Sequence, residues 1–275
     1  MAKKIGDARR AKGLTQQQLC QASGLSYSTL AKIERGAIKS PSVFTISEIA
    51  DSLGTSIESL IGKKSGHGAK QAKKRSKTGV EFVYFDVNGC LVHFYHRAFT
   101  EIAKDTGISA ETVETAFWNY NDLVCRGDIS LAEFNNILAG ELRLKSFDWE
   151  KYYLGAIEPI PETHQLIKWA HQHYLVGLLS NIMPGLIDKM LAKGLLPRLD
   201  YDAVVDSSKT GYIKPEKPIY ELAQKSSHVQ PEAVLFVDDS RANVMAGGRM
   251  GWHVIWFDDS NPAESVARVK ESLAF

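Results

Sequence analysis

Four short runs in this sequence set acids, a hydroxyl and a lysine at the ends of apolar stretches. In Phe82-Val83-Tyr84-Phe85-Asp86-Val87-Asn88-Gly89 a buried strand ends in an acid and a turn. Leu178-Leu179-Ser180-Asn181 ends a second strand in a hydroxyl and an amide, and Gly211-Tyr212-Ile213-Lys214-Pro215 supplies a lysine just ahead of a helix. Phe236-Val237-Asp238-Asp239-Ser240 closes another strand with paired acids, and Asn243 follows one helical turn later. Together these side chains suit phosphoryl chemistry. A carboxylate such as Asp86 can attack phosphorus. Ser180 and Lys214 offer the hydroxyl and cationic partners that phosphate oxygens require. Asp86, Asp238 and Asp239 offer the oxygen ligands of a hard divalent ion, magnesium above all. A lone acid at a strand end is usually a cap or turn residue, but four such runs in this order point to one site.

The elements that must position these residues follow from the pattern around them. Five β-rich runs, Phe82–Phe85, Tyr174–Leu179, Ala203–Val205, Val234–Val237 and His253–Trp256, are predicted strands, with amphipathic helical stretches between the later four. That alternation predicts an α/β fold, a Rossmann-like parallel sheet covered on both faces, whose strand ends form the ligand-binding edge. The stretch between the first two strands is too long for a crossover. Its predicted helices, near Tyr95–Thr106, Ala110–Asn121, Ser130–Leu142 and Trp149–Gly155, form an inserted helical cap at about residues 92–157.

Ahead of this α/β domain (81–275) the composition changes. Ser65–Lys77 holds no bulky apolar residue and five positive charges, so residues 63–80 are a predicted basic linker. Residues 1–62 form a small all-α domain. Thr15 and Ser26 are placed to cap helices, Gly24 and Gly36 to stop them, and Leu19, Leu25, Leu30 and Ile33 to pack them together. Pro41 precedes a helix at Val43–Leu53, and Ser56–Ile61 adds a fifth. The net charge of +1 hides an asymmetry: the first eighty residues carry fifteen Lys/Arg against five Asp/Glu, the remainder eighteen against twenty-seven. A basic front end on an acidic body suits contact with a polyanion, although a solubilising arm has the same composition.

On Gly13-Leu14-Thr15-Gln16, Leu19, Ala22-Ser23-Gly24-Leu25-Ser26, Ile33-Glu34-Arg35-Gly36 and Pro41-Ser42, residues 3–62 resemble the Cro/repressor-type helix-turn-helix family. The resemblance implies that Tyr27–Arg35 is a recognition helix in the major groove of DNA, with Tyr27, Ser28 and Lys32 toward base edges. Gln16 would reach the backbone or a flanking base, and Arg9, Arg10 and Lys39 would contact phosphates. A homodimer on a two-fold site is the expected binding form. A helical module kept for protein contacts is the alternative.

The four strand-end runs resemble, in order, the motifs of the haloacid dehalogenase superfamily, and the inserted helices resemble the cap of its phosphatase-like subfamily. The resemblance implies that Asp86 is the nucleophile, that Ser180 and Asn181 hold the phosphoryl group and that Lys214 neutralises it. Asp86, Asp238, Asp239 and the backbone carbonyl of Asn88 would bind magnesium, and the ligand would be a small phosphorylated metabolite. One position departs from the pattern: phosphatases of this family usually carry a second aspartate, as general acid/base, where this chain has Asn88. An amide transfers no proton, and losing a general acid/base costs about a hundred- to ten-thousand-fold in rate. Three readings stay open: a slow enzyme or one that prefers good leaving groups such as acyl or aryl phosphates, an acid supplied from the cap, or a sensor that binds a phosphorylated ligand or holds a long-lived phosphoaspartate.

Other residues have plainer readings. His171 and His173, two residues apart, do not share a helix face; His93 and His96, just after the nucleophile, either face the ligand or, the plainer reading, are packing or surface residues. Trp118, Tyr120 and Asn121 either line a pocket or pack the cap, and Trp252 and Trp256 are expected in the core. No apolar run is long enough to cross a membrane, no secretory leader is evident, and Cys20, Cys90 and Cys125 lack metal-type spacing. These features predict a cytoplasmic protein.

Overall fold

The computed structural model describes residues 2–38, 41–53, 55, 60 and 76–274. Lys39, the predicted fifth helix apart from Leu60, and most of the predicted linker lie outside the described residues. The chain divides into two compact units, 1–72 and 73–275.

In the first unit, helices α1 (Ala2–Ala11), α2 (Gln16–Ser23), α3 (Tyr27–Glu34) and α4 (Val43–Leu53) surround a core of Ile5, Leu19, Leu30, Ile33, Ile46, Ile49 and Leu53. Local chemistry sets the helix starts. Thr15 Oγ1 accepts from Gln18 N at 3.2 Å while Thr15 N donates to Gln18 Oε1 at 2.8 Å, a complete capping box. Ser26 Oγ accepts from Thr29 N at 3.2 Å and starts α3.

The second unit is a five-stranded parallel sheet of β1 (Phe82–Phe85), β2 (Leu175–Ser180), β3 (Ala203–Asp206), β4 (Val234–Asp238) and β5 (His253–Trp256), ordered β3-β2-β1-β4-β5. Side chains alternate between its faces. Val83, Phe85, Leu178 and Val237 pack on one side, and Phe82, Tyr84, Leu179 and Phe236 on the other. Between β1 and β2 the chain forms α5 (His96–Thr106), α6 (Ala110–Arg126), α7 (Leu131–Glu141), α8 (Trp149–Ala156) and then α9 (Pro161–His173). The α6 helix runs five residues past the predicted Asn121. Gly127, at φ +81°, ends it. Phe99, Phe117, Trp149 and Tyr153 make the core of this insertion continuous with one sheet face. The rest of the unit comprises α10 (Leu186–Lys193), α11 (Ser207–Thr210), α12 (Lys217–Ser227), α13 (Arg241–Arg249) and α14 (Pro262–Leu273). Among the described residues no helix is long and apolar enough to cross a membrane.

Candidate active site

The strand order reverses around β1, with β2 and β3 to one side and β4 and β5 to the other, so the ligand-binding crevice of such a sheet opens at the C-terminal end of β1. Register then decides which side chains meet there. Phe85 pairs with Val237, which sets Asp86 beside Asp238. Phe85 also pairs with Leu178, so β2 runs two residues further and ends at Ser180.

Lys214, in the segment between α11 and α12, reaches across these strand ends. Its Nζ lies 2.9 Å from Asp86 Oδ1 and 2.6 Å from Asp238 Oδ2, and all three side chains are buried. Burial opposes the ammonium charge, but the two carboxylates outweigh it and raise the lysine pKa. Asn181 holds the lysine from behind: its Oδ1 accepts from Lys214 N at 2.7 Å and its Nδ2 donates to Lys214 O at 2.8 Å. The amide expected to grip a phosphoryl group is therefore already engaged at both ends by backbone, because its two partners match the paired donor and acceptor of one residue. Ser180 Oγ is buried and has no partner in good hydrogen-bond geometry, although it lies close enough to Asp86 to favour its charged form.

Three carboxylates share this small space. Asp86, Asp238 and Asp239 each offer an oxygen within 4.8 Å of the others. Burial first, then the Asp238 charge, push the Asp86 carboxyl up to about 6 against the pull of Lys214. Burial, then Asp86 and Asp238, push Asp239 up to about 8. Ser240 N at 2.8 Å and Asn243 Nδ2 at 3.0 Å donate to Asp238 Oδ1 and fix its rotamer. Gly89, at φ +80°, passes so close that a Cβ there would lie 2.2 Å from Asp239 Oδ2. Asp239 is also tied through its backbone, where Trp256 Nε1 donates to the carbonyl at 2.6 Å. Trp256 is only half-buried, with the Arg241 guanidinium 4.1 Å over its ring. The expectation of a core residue fails for it because β5 is an edge strand of the sheet, with no further strand among the described residues to cover it. Trp252 is in the core.

Asn88 is buried beneath the insertion, where Tyr153 of α8 donates to its Oδ1 at 2.7 Å. Asn88, Tyr95, Asn121, Trp149, Tyr153 and Asn181 line a cavity of about 10 Å³, room for roughly one water. Asn121 thus faces the cavity, whereas Trp118 is exposed and Tyr120 donates outward to Glu141 at 3.0 Å. His93 and His96 are exposed. Tyr153 is the site residue that sequence reasoning missed. A tyrosine within a run of insertion aromatics carries no sign of which one faces the strand ends.

In the first unit, Tyr27, Ser28 and Lys32 are exposed on α3, Tyr27 at 58%. Gln16 behaves otherwise. Its Nε2 donates to Glu34 Oε2 at 2.7 Å, where Arg9 also binds Glu34 through Nε at 2.7 Å and Nη2 at 3.0 Å. Arg9 is buried, so it is an internal counter-ion and not the outward phosphate contact that its charge suggested. Gln16 is drawn inward for the same reason: a half-buried carboxylate needs donors. Arg10 is exposed and pairs with Asp7 at 2.6 Å.

The sequence profile of the haloacid dehalogenase-like hydrolases matches residues 80–251, and a helix-turn-helix profile matches residues 5–60. D-ribitol-5-phosphate phosphatase of Bacteroides thetaiotaomicron is 34% identical over 97 residues, which are 33% of this chain and 46% of that protein. The chain spans less than half the length of the first curated relatives it matches. A HAD-like family hydrolase from Porphyromonas gingivalis superposes with a TM-score of 0.59 at 25% identity, covering 69% of this chain and 97% of that one. A HAD family enzyme from Bacteroides thetaiotaomicron, solved as a magnesium complex, gives 0.58 at 19% identity over 66% of this chain and 94% of its own, a likeness of fold.

Proposed function

Because the chain belongs to the haloacid dehalogenase-like hydrolases and carries a helix-turn-helix region ahead of that fold, we propose that it is a DNA-binding transcription regulator whose second unit binds a small phosphorylated metabolite and hydrolyses it slowly. In this reading, residues 1–62 bind DNA as a homodimer in the cytoplasm, 63–80 tether, and 81–275 sense the ligand.

One observation carries the phosphoryl reading: Lys214 bridges Asp86 and Asp238 beside a buried Ser180 hydroxyl that, among the described residues, only Asp86 approaches, and not in good hydrogen-bond geometry. A buried hydroxyl without an acceptor is costly unless a ligand supplies one. A phosphoryl oxygen fits it. Asp86 then forms the bond to phosphorus as the bond to the leaving oxygen breaks. Lys214 holds the phosphoryl charge, and Asn181 holds Lys214. Three crowded carboxylates against one ammonium leave uncompensated negative charge, which suits a divalent cation on Asp86, Asp238, Asp239 and the Asn88 carbonyl. Magnesium bound there supplies positive charge to the phosphoryl oxygens. The relative that acts on D-ribitol-5-phosphate supports a sugar phosphate as the first ligand to try.

The test is phosphate release from a panel of sugar phosphates with magnesium, for the native chain and for Asp86→Ala, alongside DNA footprinting with and without each compound. Slow, Asp86-dependent release with a ligand-shifted footprint supports the regulator. Fast turnover with no specific footprint would replace it with a working phosphatase whose helix-turn-helix binds a partner protein.

A further inference from the structure

The setting of Asn88 speaks to the class of substrate and rests on the phosphohydrolase reading above. Tyr153 has one hydroxyl proton, and its partners are Asn88 Oδ1 at 2.7 Å and Met190 Sδ at 3.5 Å. A thioether is a weak acceptor, so the proton goes to the amide carbonyl. The carboxamide is planar, and its carbonyl end is thereby turned to α8. Its NH₂ is at the other end. Among the described residues nothing accepts from that NH₂, and Asn88 lines the cavity between the insertion and the strand ends. Asn88, two residues after Asp86, thus keeps a donor and has no proton to transfer.

Leaving groups respond differently to such a donor. An alkoxide departing from an alkyl phosphate needs a proton. A carboxylate departing from an acyl phosphate is stable as an anion and needs only a hydrogen bond. We propose that the second unit takes acyl phosphates, the mixed anhydrides of a carboxylic acid and phosphoric acid, with Asn88 donating to the departing carboxylate and Tyr153 positioning Asn88. An Asp86 oxygen forms its bond to phosphorus, the bond from phosphorus to the acyl oxygen breaks, and the carboxylate leaves with the electron pair. No proton changes hands. The product on the protein is an aspartyl phosphate. Its hydrolysis requires a water to lose a proton, which the amide cannot accept, so phosphoryl-Asp86 outlasts the transfer.

The full chain with magnesium is given acetyl phosphate or D-ribitol-5-phosphate, and carboxylate or alcohol release and phosphoryl label on the protein are followed. The native chain is expected to react with acetyl phosphate faster by about a hundredfold or more, and to keep the label on Asp86. Asn88→Asp raises the ribitol phosphate rate and shortens the label's lifetime. Tyr153→Phe slows acetyl phosphate about tenfold in kcat, the effect of losing one orienting hydrogen bond. Tyr153→Phe combined with Asn88→Ala is no slower than Asn88→Ala alone, which a merely structural tyrosine would not produce. Equal rates on the two donors, or an Asn88→Asp variant with the native preference, overturn the acyl phosphate assignment and leave the phosphohydrolase reading standing. No reaction with either donor, together with no binding of inorganic phosphate, overturns both.

Discussion

The carboxamide of Asn181 grips the main chain of Lys214 at both ends, accepting from its N–H at 2.7 Å and donating to its carbonyl at 2.8 Å. The lysine is therefore aimed by a residue thirty-three positions away, and its ammonium is held 2.9 Å from Asp86 without help from a ligand.

Removing that clamp tests its importance. Asn181→Ala takes away two hydrogen bonds, each worth about 1 kcal/mol net, and leaves two buried backbone groups to find water. Phosphate release should fall about ten- to a hundredfold, mostly in kcat, since Lys214 still provides charge but no longer at a fixed place. Steady-state kinetics separate this from a loss of binding, which would appear in KM.

Gly89 offers a steric test of the acidic cluster. Gly89→Ala introduces a Cβ 2.2 Å from Asp239 Oδ2 in a backbone conformation at φ +80°. The strain costs about 1–3 kcal/mol, and the displaced carboxylate should lower turnover by roughly a hundredfold. Isothermal titration with magnesium would show the matching loss of affinity. Unchanged magnesium binding would mean that Asp239 is not a ligand.

Acid titration of the cluster sets a pH dependence whose sign is opposite to that of most carboxylates. Asp239 is raised to about 8 and Asp86 to about 6, whereas an unfolded aspartate titrates near pH 4. Between about pH 4 and pH 8 the folded chain therefore binds more protons than the unfolded one, and its stability falls as pH rises through that window. Magnesium binds the deprotonated cluster, so it should raise the Tm more at pH 8 than at pH 5. Asp239→Asn should flatten both trends in a calorimetric series.

The DNA-facing side of the first unit separates into outward and inward residues. Lys32→Ala should lower the salt dependence of DNA affinity by about one ion if it meets a phosphate, and Tyr27→Ala should cost about 1–3 kcal/mol if it meets a base. Gln16→Ala removes a hydrogen bond to Glu34, so its main effect should be lost stability of the first unit, about 1.5–3 kcal/mol. Titrations at several salt concentrations, with hydrogen exchange on the same variants, distinguish these effects.

Which of these features the sequence alone could determine follows from the range of the forces involved. Helix starts at Thr15 and Ser26 depend on side-chain oxygens reaching amides three residues away, so a short window holds the whole interaction. The strands announce themselves by apolar runs, and Asp86, Ser180 and Asp238 by standing at the ends of those runs. Only tertiary structure decided what these residues face. Tyr153 and Asn88 lie sixty-five residues apart, and Trp256 and Asp239 seventeen. Arg9 and Gln16 turned inward because Glu34, on another helix, was left half-buried and needed donors. A pattern of residue types records which side chains can donate or accept. Which partner each one meets depends on how separate elements pack, and that is settled only when burial removes water as the competing partner.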